Sequence, residues 1–94
     1  MARSYPRQQP PKWRSEAREG TVPARLFEKL GKAIRHERLG QQLTQEQLAE
    51  EAKLSPQHLL DIEHGRSNVT LASLVGIARG LGMKVHELLA KASV

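Results

Sequence analysis

A chain of 94 residues with a formal net charge of +5 has room for one small domain and a tail, not for two separate cores. The absence of cysteine excludes disulfides and thiolate metal sites, and apolar runs of only a few residues exclude a membrane span. One Trp, one Tyr and one Phe leave the core to the aliphatic side chains that dominate from Leu26 onward.

The first segment differs from the rest. Residues 1–25 place Arg3, Arg7, Lys12, Arg14, Arg18 and Arg25 against Glu16 and Glu19, a net of +4, whereas residues 26–94 net only +1. Four of the five prolines also fall in this first segment. Such a composition buries too little apolar surface to offset the entropy lost on ordering. Residues 1–22 are therefore expected to form a flexible basic arm, ahead of a domain over 23–94. The arm reads either as a solubilising tail or as an electrostatic strand that follows a phosphate backbone. Trp13, between Lys12 and Arg14, is a weak candidate for stacking on a base or a partner. The start MARSYPRQQPPKW has charge but no apolar stretch, so it is not a secretory signal, and a soluble cytoplasmic protein is expected.

After Pro23 the pattern turns helical. Leu26, Phe27, Leu30, Ile34 and Leu39 recur near the helical period, giving a first helix over about 24–38, with Gly40 as its left-handed stop. Thr44 opens a second helix as its cap, with Gln47 placed for a capping box and Leu43 and Leu48 for a hydrophobic staple. Ser55 caps a third helix, Pro56 fills its first turn, and Leu54 staples to Leu59. Thr70 caps a fourth, with Val69 facing Leu74, and Gly82 stops it after Leu81. A short fifth helix follows over about 85–91. No stretch alternates as a strand does, so the fold class is all-α.

The second and third helices are joined by little more than Lys53 and Leu54. Leu48, Ala49 and Ala52 mark one inward face, and Leu59 and Ile62 another. Burying both faces across so tight a link makes the helices cross steeply, as in a helix-turn-helix. At 100° per residue, Gln57, Leu60, Asp61 and His64 fall opposite the buried side of the third helix, with Ser55 and Pro56 at its tip. That face suits a DNA major groove, where Gln bonds adenine, a carboxylate accepts from cytosine and an aliphatic group meets a thymine methyl. The starts of the second and third helices, at Thr44 and Ser55, suit phosphate.

These residues carry a resemblance. Ile34-Arg35-x-x-Arg38, Leu43-Thr44-Gln45-x-x-Leu48-Ala49, Ile62-Glu63-x-Gly65-Arg66 and Leu74-x-x-Ile77-Ala78-x-x-Leu81-Gly82 together resemble the phage-repressor/Cro type of DNA-binding domain, the XRE family of bacterial and phage regulators. The similarity covers about 30–89 and leaves out the arm. It implies a five-helix domain that binds double-stranded DNA without a cofactor. In its terms Gln45 holds a phosphate and braces the third helix, and Pro56, Gln57 and Asp61 read bases. His64 and Arg66 meet the backbone, and Arg38 and Glu63 form a structural ion pair. It further implies a homodimer on a palindromic operator, because one such domain reaches a single half-site. Leu88, Leu89 and Val94 are candidates for the two-fold contact. Small size and the stretch GRSNVTLASL are similar to restriction–modification controller proteins.

Departures from the pattern stand beside it. Pro56 has no N–H to offer a phosphate, Lys84 replaces the usual cap of the fifth helix so that it starts loosely, and Leu60 is apolar where a polar residue is usual. Residues 43–66 net −3, a poor electrostatic footprint for DNA, so the arm with Lys29, Lys32 and Arg35 must supply the attraction. Gln57 is otherwise a solvated surface residue, Asp61 a group that rejects sequences, and Leu60 incidental exposure or a partner patch. The same features fit an alternative, a protein-interaction module such as an antitoxin or a transcription bridging factor. The four His residues show no metal-ligand spacing, and no nucleophile–base set or phosphate loop points to an enzyme.

Overall fold

The computed structural model describes residues 24–93; the arm at 1–22, Trp13 and Val94 lie outside the described residues. Five helices follow one another: α1 Ala24–Gly40, α2 Gln45–Ala52, α3 Pro56–Glu63, α4 Leu71–Gly80 and α5 Val85–Lys91. There is no strand among the described residues, and no helix there is long and apolar enough to cross a membrane.

The starts after α1 follow local chemistry. The Thr44 hydroxyl accepts from the Gln47 N–H at 3.0 Å, and the Gln47 side chain accepts from the Thr44 N–H at 2.8 Å, closing a capping box. Ser55 accepts from the His58 N–H at 3.0 Å and Thr70 from the Ser73 N–H at 3.1 Å. Leu43, Leu54 and Val69, the residues just before these caps, pack half-buried against the core. At α5 Lys84 lends no side-chain oxygen to the first-turn N–H groups, as expected, and only half of a capping box forms: the Glu87 carboxylate accepts from the Lys84 N–H at 2.8 Å.

The exits of α1 to α4 share one geometry. Gln42, Lys53, Gly65 and Gly82 each take a left-handed conformation, with φ of 59°, 59°, 71° and 68°. Behind each, the next N–H reaches back to a helix carbonyl: Leu43 to Arg38, Leu54 to Ala49, Arg66 to Asp61 and Met83 to Ala78. This is the Schellman closure. It corrects the expected stop at Gly40. That glycine is still helical, and the reversal falls on Gln42, whose N–H bonds the Leu39 carbonyl at 3.0 Å. Leu39 is also corrected from core to surface, at 53% exposed. Five residues past Ile34 it has turned far off the inward stripe, and Arg38 holds the inward place instead.

All five helices contribute to one core. Ile34, Leu48, Leu59, Ile62, Ile77 and Leu88 are its fully buried large side chains. α1 lies against α3, α2 against α4 and α3, and α5 closes the bundle against α1 and α4. Two glycines set the closest approaches. A Cβ at Gly31 would strike the carbonyls of Ile62 and Glu63, so α1 and the end of α3 meet backbone to backbone. A Cβ at Gly76 would lie 2.7 Å from the Ala52 carbonyl, so α4 seats directly on the end of α2. Ala52, buried at this contact, carries only a methyl side chain there. The effect is to hold α3 at the edge of the bundle by its Leu59 and Ile62 side, with its opposite side uncovered.

Candidate nucleic-acid interface

The outward side of α3 begins at its cap. Ser55, Pro56 and Gln57 are exposed at the first turn, and Leu60 and Asp61, one turn on, are half-buried. His64 and Arg66 are exposed just past the helix end. Leu60, expected to be apolar and exposed, is therefore partly shielded, although it is not among the side chains packed on the core.

Three of these side chains are linked. The Gln57 amide nitrogen donates to Asp61 Oδ1 at 3.1 Å, and Arg66 Nη2 stands 3.6 Å from the same oxygen. The first link follows from i, i+4 spacing on a helix, which brings the two side chains onto one face. The second exists because the left-handed Gly65 turns the chain back over α3, and the Arg66 N–H bonds the Asp61 carbonyl at 2.9 Å. Sequence spacing already contains the Gln57–Asp61 pair; the return of Arg66 onto it depends on the turn.

Beneath this face lies a second, buried group. Arg38 Nε and Nη2 donate to the two Glu63 carboxylate oxygens at 2.7 and 3.1 Å, a bidentate pair with side chains only 8% and 1% exposed. Arg38 Nη1 also donates to the Leu43 carbonyl at 2.8 Å. Gln45 completes the set, donating to Glu63 Oε1 at 3.2 Å. The end of α1, the entry to α2 and the end of α3 are thus tied to one carboxylate. No buried side-chain nitrogen or oxygen lacks a partner among the described residues.

At the start of α2, the Thr44 N–H is already given to Gln47, so only its hydroxyl proton remains to donate outward. Gln45 has one amide N–H committed to Glu63, leaving the other. Glu46, Glu50 and Glu51 are exposed on α2, and a Cβ at Gly80 would lie 3.1 Å from Glu51 Cβ, which puts Glu51 on the α4 side. Lys29, Lys32 and Arg35 are exposed on α1. Leu88 is fully buried in its own core, so of the candidates for a two-fold contact only Leu89, half-buried, is described with any free surface. Among the described residues no three His, Asp or Glu side chains converge as metal ligands would.

Two capped helices joined by a left-handed turn, the second held at the surface by a buried ion pair, define a helix-turn-helix domain. Comparison with known proteins agrees: the family described as Helix-turn-helix matches residues 34–88. The chain belongs to this helix-turn-helix family, of the XRE type, a family of repressor-like DNA-binding regulators of transcription. It is 49% identical over 57 residues to the immunity repressor protein of Bacillus phage phi105, a match spanning 61% of this chain but only 38% of that protein. Among solved structures it is similar to the clp gene regulator ClgR from C. glutamicum, at 35% identity and a TM-score of 0.69, over 72% of this chain and 88% of that one. The restriction-modification controller protein C.AhdI from Aeromonas hydrophila gives 31% identity and a TM-score of 0.65, over 66% of this chain and 94% of that one.

Proposed function

We propose that this protein is a sequence-specific regulator of transcription that binds double-stranded DNA as a homodimer on a palindromic operator, in the cytoplasm. α3 enters the major groove. Ser55, Pro56, Gln57, Leu60 and Asp61 form the surface that faces the bases, and Thr44, Gln45, His64 and Arg66 meet the flanking phosphates. It acts by binding and not by catalysis, and it needs no cofactor. The observation that carries this reading is the uncovered polar side of α3 on a rigid support: the Glu63 carboxylate under it is held by both Arg38 and Gln45. A reading helix must keep its side chains in register with base edges, and such bracing provides that register. Family membership supports the same reading.

Selection of bound duplexes from a random DNA pool tests it. The expected product is one preferred site with two-fold symmetric halves spaced one helical turn apart. A pool that returns no preferred sequence rejects sequence-specific binding. The net charge of −3 over residues 43–66 favours a second reading, a protein-interaction module such as an antitoxin or a bridging factor. A gel shift with random DNA at two salt concentrations separates the two. With residues 1–22 deleted, a DNA-binding domain still shifts the duplex and weakens as salt rises, whereas an interaction module, which grips DNA only nonspecifically through that basic segment, shows no shift at either concentration.

A further inference from the structure

We infer that Asp61 is a positioning and specificity-determining residue which acts on bases through Gln57 and does not read a base itself; this rests on α3 lying in the groove. Asp61 is the recessed member of its cluster, with 36% of its side chain exposed against 60% for Arg66. Its Oδ1 receives the Gln57 amide at 3.1 Å and faces Arg66 Nη2 at 3.6 Å. An ionised carboxylate only accepts hydrogen bonds. It therefore admits one orientation of the Gln57 amide, nitrogen toward Asp61 and oxygen away, because the flipped amide would set oxygen against oxygen. The pair uses one of the two amide N–H groups. The other N–H and the carbonyl oxygen stay free, and these are the donor and acceptor that an adenine edge takes from a glutamine. Asp61 thus restricts the rotation of an exposed, long side chain before DNA arrives, which lowers the entropy lost in binding. A negative charge on this face also opposes every phosphate and purine acceptor, so it restrains binding to random DNA.

The test uses the full chain with Asp61→Asn, Asp61→Ala, Gln57→Ala and the Gln57/Asp61 double alanine variant. Each is measured on the preferred duplex, on duplexes changed at single base pairs, and on random DNA. Asparagine keeps an oxygen for Gln57 but loses the charge. Asp61→Asn is expected to keep the preference at the base pair read by Gln57 while binding all duplexes more tightly. Asp61→Ala is expected to lose about tenfold in preference at that same base pair. The double variant is expected to discriminate no worse than Gln57→Ala alone, since both changes remove one device. Loss of preference at a different base pair, additive with Gln57→Ala, would show that Asp61 reads a base directly and overturn the inference while leaving the groove reading intact. A parent protein without any preferred duplex fails at the groove reading itself and takes the inference with it. Melting curves of the four variants confirm that each is folded.

Discussion

Glu63 is the residue on which the geometry of α3 turns. Its carboxylate is buried and accepts two bonds from Arg38 and one from Gln45. A buried ion pair of this kind is costly to break from one side, because the remaining charge is left without its partner. Arg38→Ala is therefore expected to lower stability by about 3 kcal/mol in chemical denaturation. Arg38→Met combined with Glu63→Leu should recover much of the loss, since an apolar pair of similar volume removes both charges. A melting temperature unchanged in Arg38→Ala would contradict the role given to the pair. The double variant also separates stability from bracing: it should fold well yet bind its operator more weakly, because Gln45 loses its tether to α3.

At the scale of elements, the helix starts are legible in the sequence and the helix ends less so. A hydroxyl three residues before the N–H it caps is local information, and Thr44, Ser55 and Thr70 carry it plainly. The ends require a left-handed residue, and of the five such residues here Gln42, Lys53 and Ser93 are not glycine. Gly40 has the composition of a stop, while Gln42 and Lys53, which carry no signal of that conformation, perform the reversals at the ends of α1 and α2. α5 differs for another reason: Lys84 offers no oxygen to the first-turn N–H groups, and Glu87 serves only the Lys84 N–H, from the other side of the same turn. The tight seat of Gly31 on α3 is not legible at all, because it depends on a partner more than 30 positions away. In the site, the face of α3 follows from angular spacing, and the Gln57–Asp61 pair follows from i, i+4 placement. The Arg66 contact needs the Gly65 turn.

A side chain with a Cβ is strained by about 1–2 kcal/mol in the left-handed region, part of which glycine returns as chain entropy. Lys53→Gly is expected to raise stability by about 0.5–1 kcal/mol and to leave the fold unchanged; a drop in melting temperature would show that the Lys53 side chain has a structural role. Gly31→Ala is expected to cost about 2 kcal/mol or more, because the added methyl meets backbone carbonyls that cannot rotate away. Equal stability of Gly31→Ala and the parent in urea would show that α1 and α3 sit further apart.

For the whole molecule the question is how a helix-turn-helix with a net charge of −3 is drawn to DNA. Positive charge lies elsewhere: on Lys29, Lys32 and Arg35 of α1, and on the five basic residues of segment 1–22, which holds only Glu16 and Glu19 against them. Deleting residues 1–22 is expected to leave the melting temperature of the domain nearly unchanged, since the core is drawn from α1 to α5. Binding to all duplexes should weaken by a similar factor. The slope of log affinity against log salt should flatten by about 0.9 for each phosphate that the shortened chain no longer neutralises. An unchanged slope would assign the segment to a role other than phosphate binding.

Gln57 is exposed and takes no part in the core, so its replacement isolates the proposed reading of base edges by α3 in the major groove. The measurement is the affinity of Gln57→Ala, beside Arg66→Ala, for the preferred duplex, its single-base variants and random DNA. Gln57→Ala should stay within about 0.5 kcal/mol of the parent in stability. It should lose about 1–3 kcal/mol on the preferred duplex, confined to one symmetric pair of base positions, with random DNA bound almost as before. Arg66→Ala should instead weaken preferred and random duplexes together. If both variants bind every duplex as the parent does, α3 does not lie in the groove.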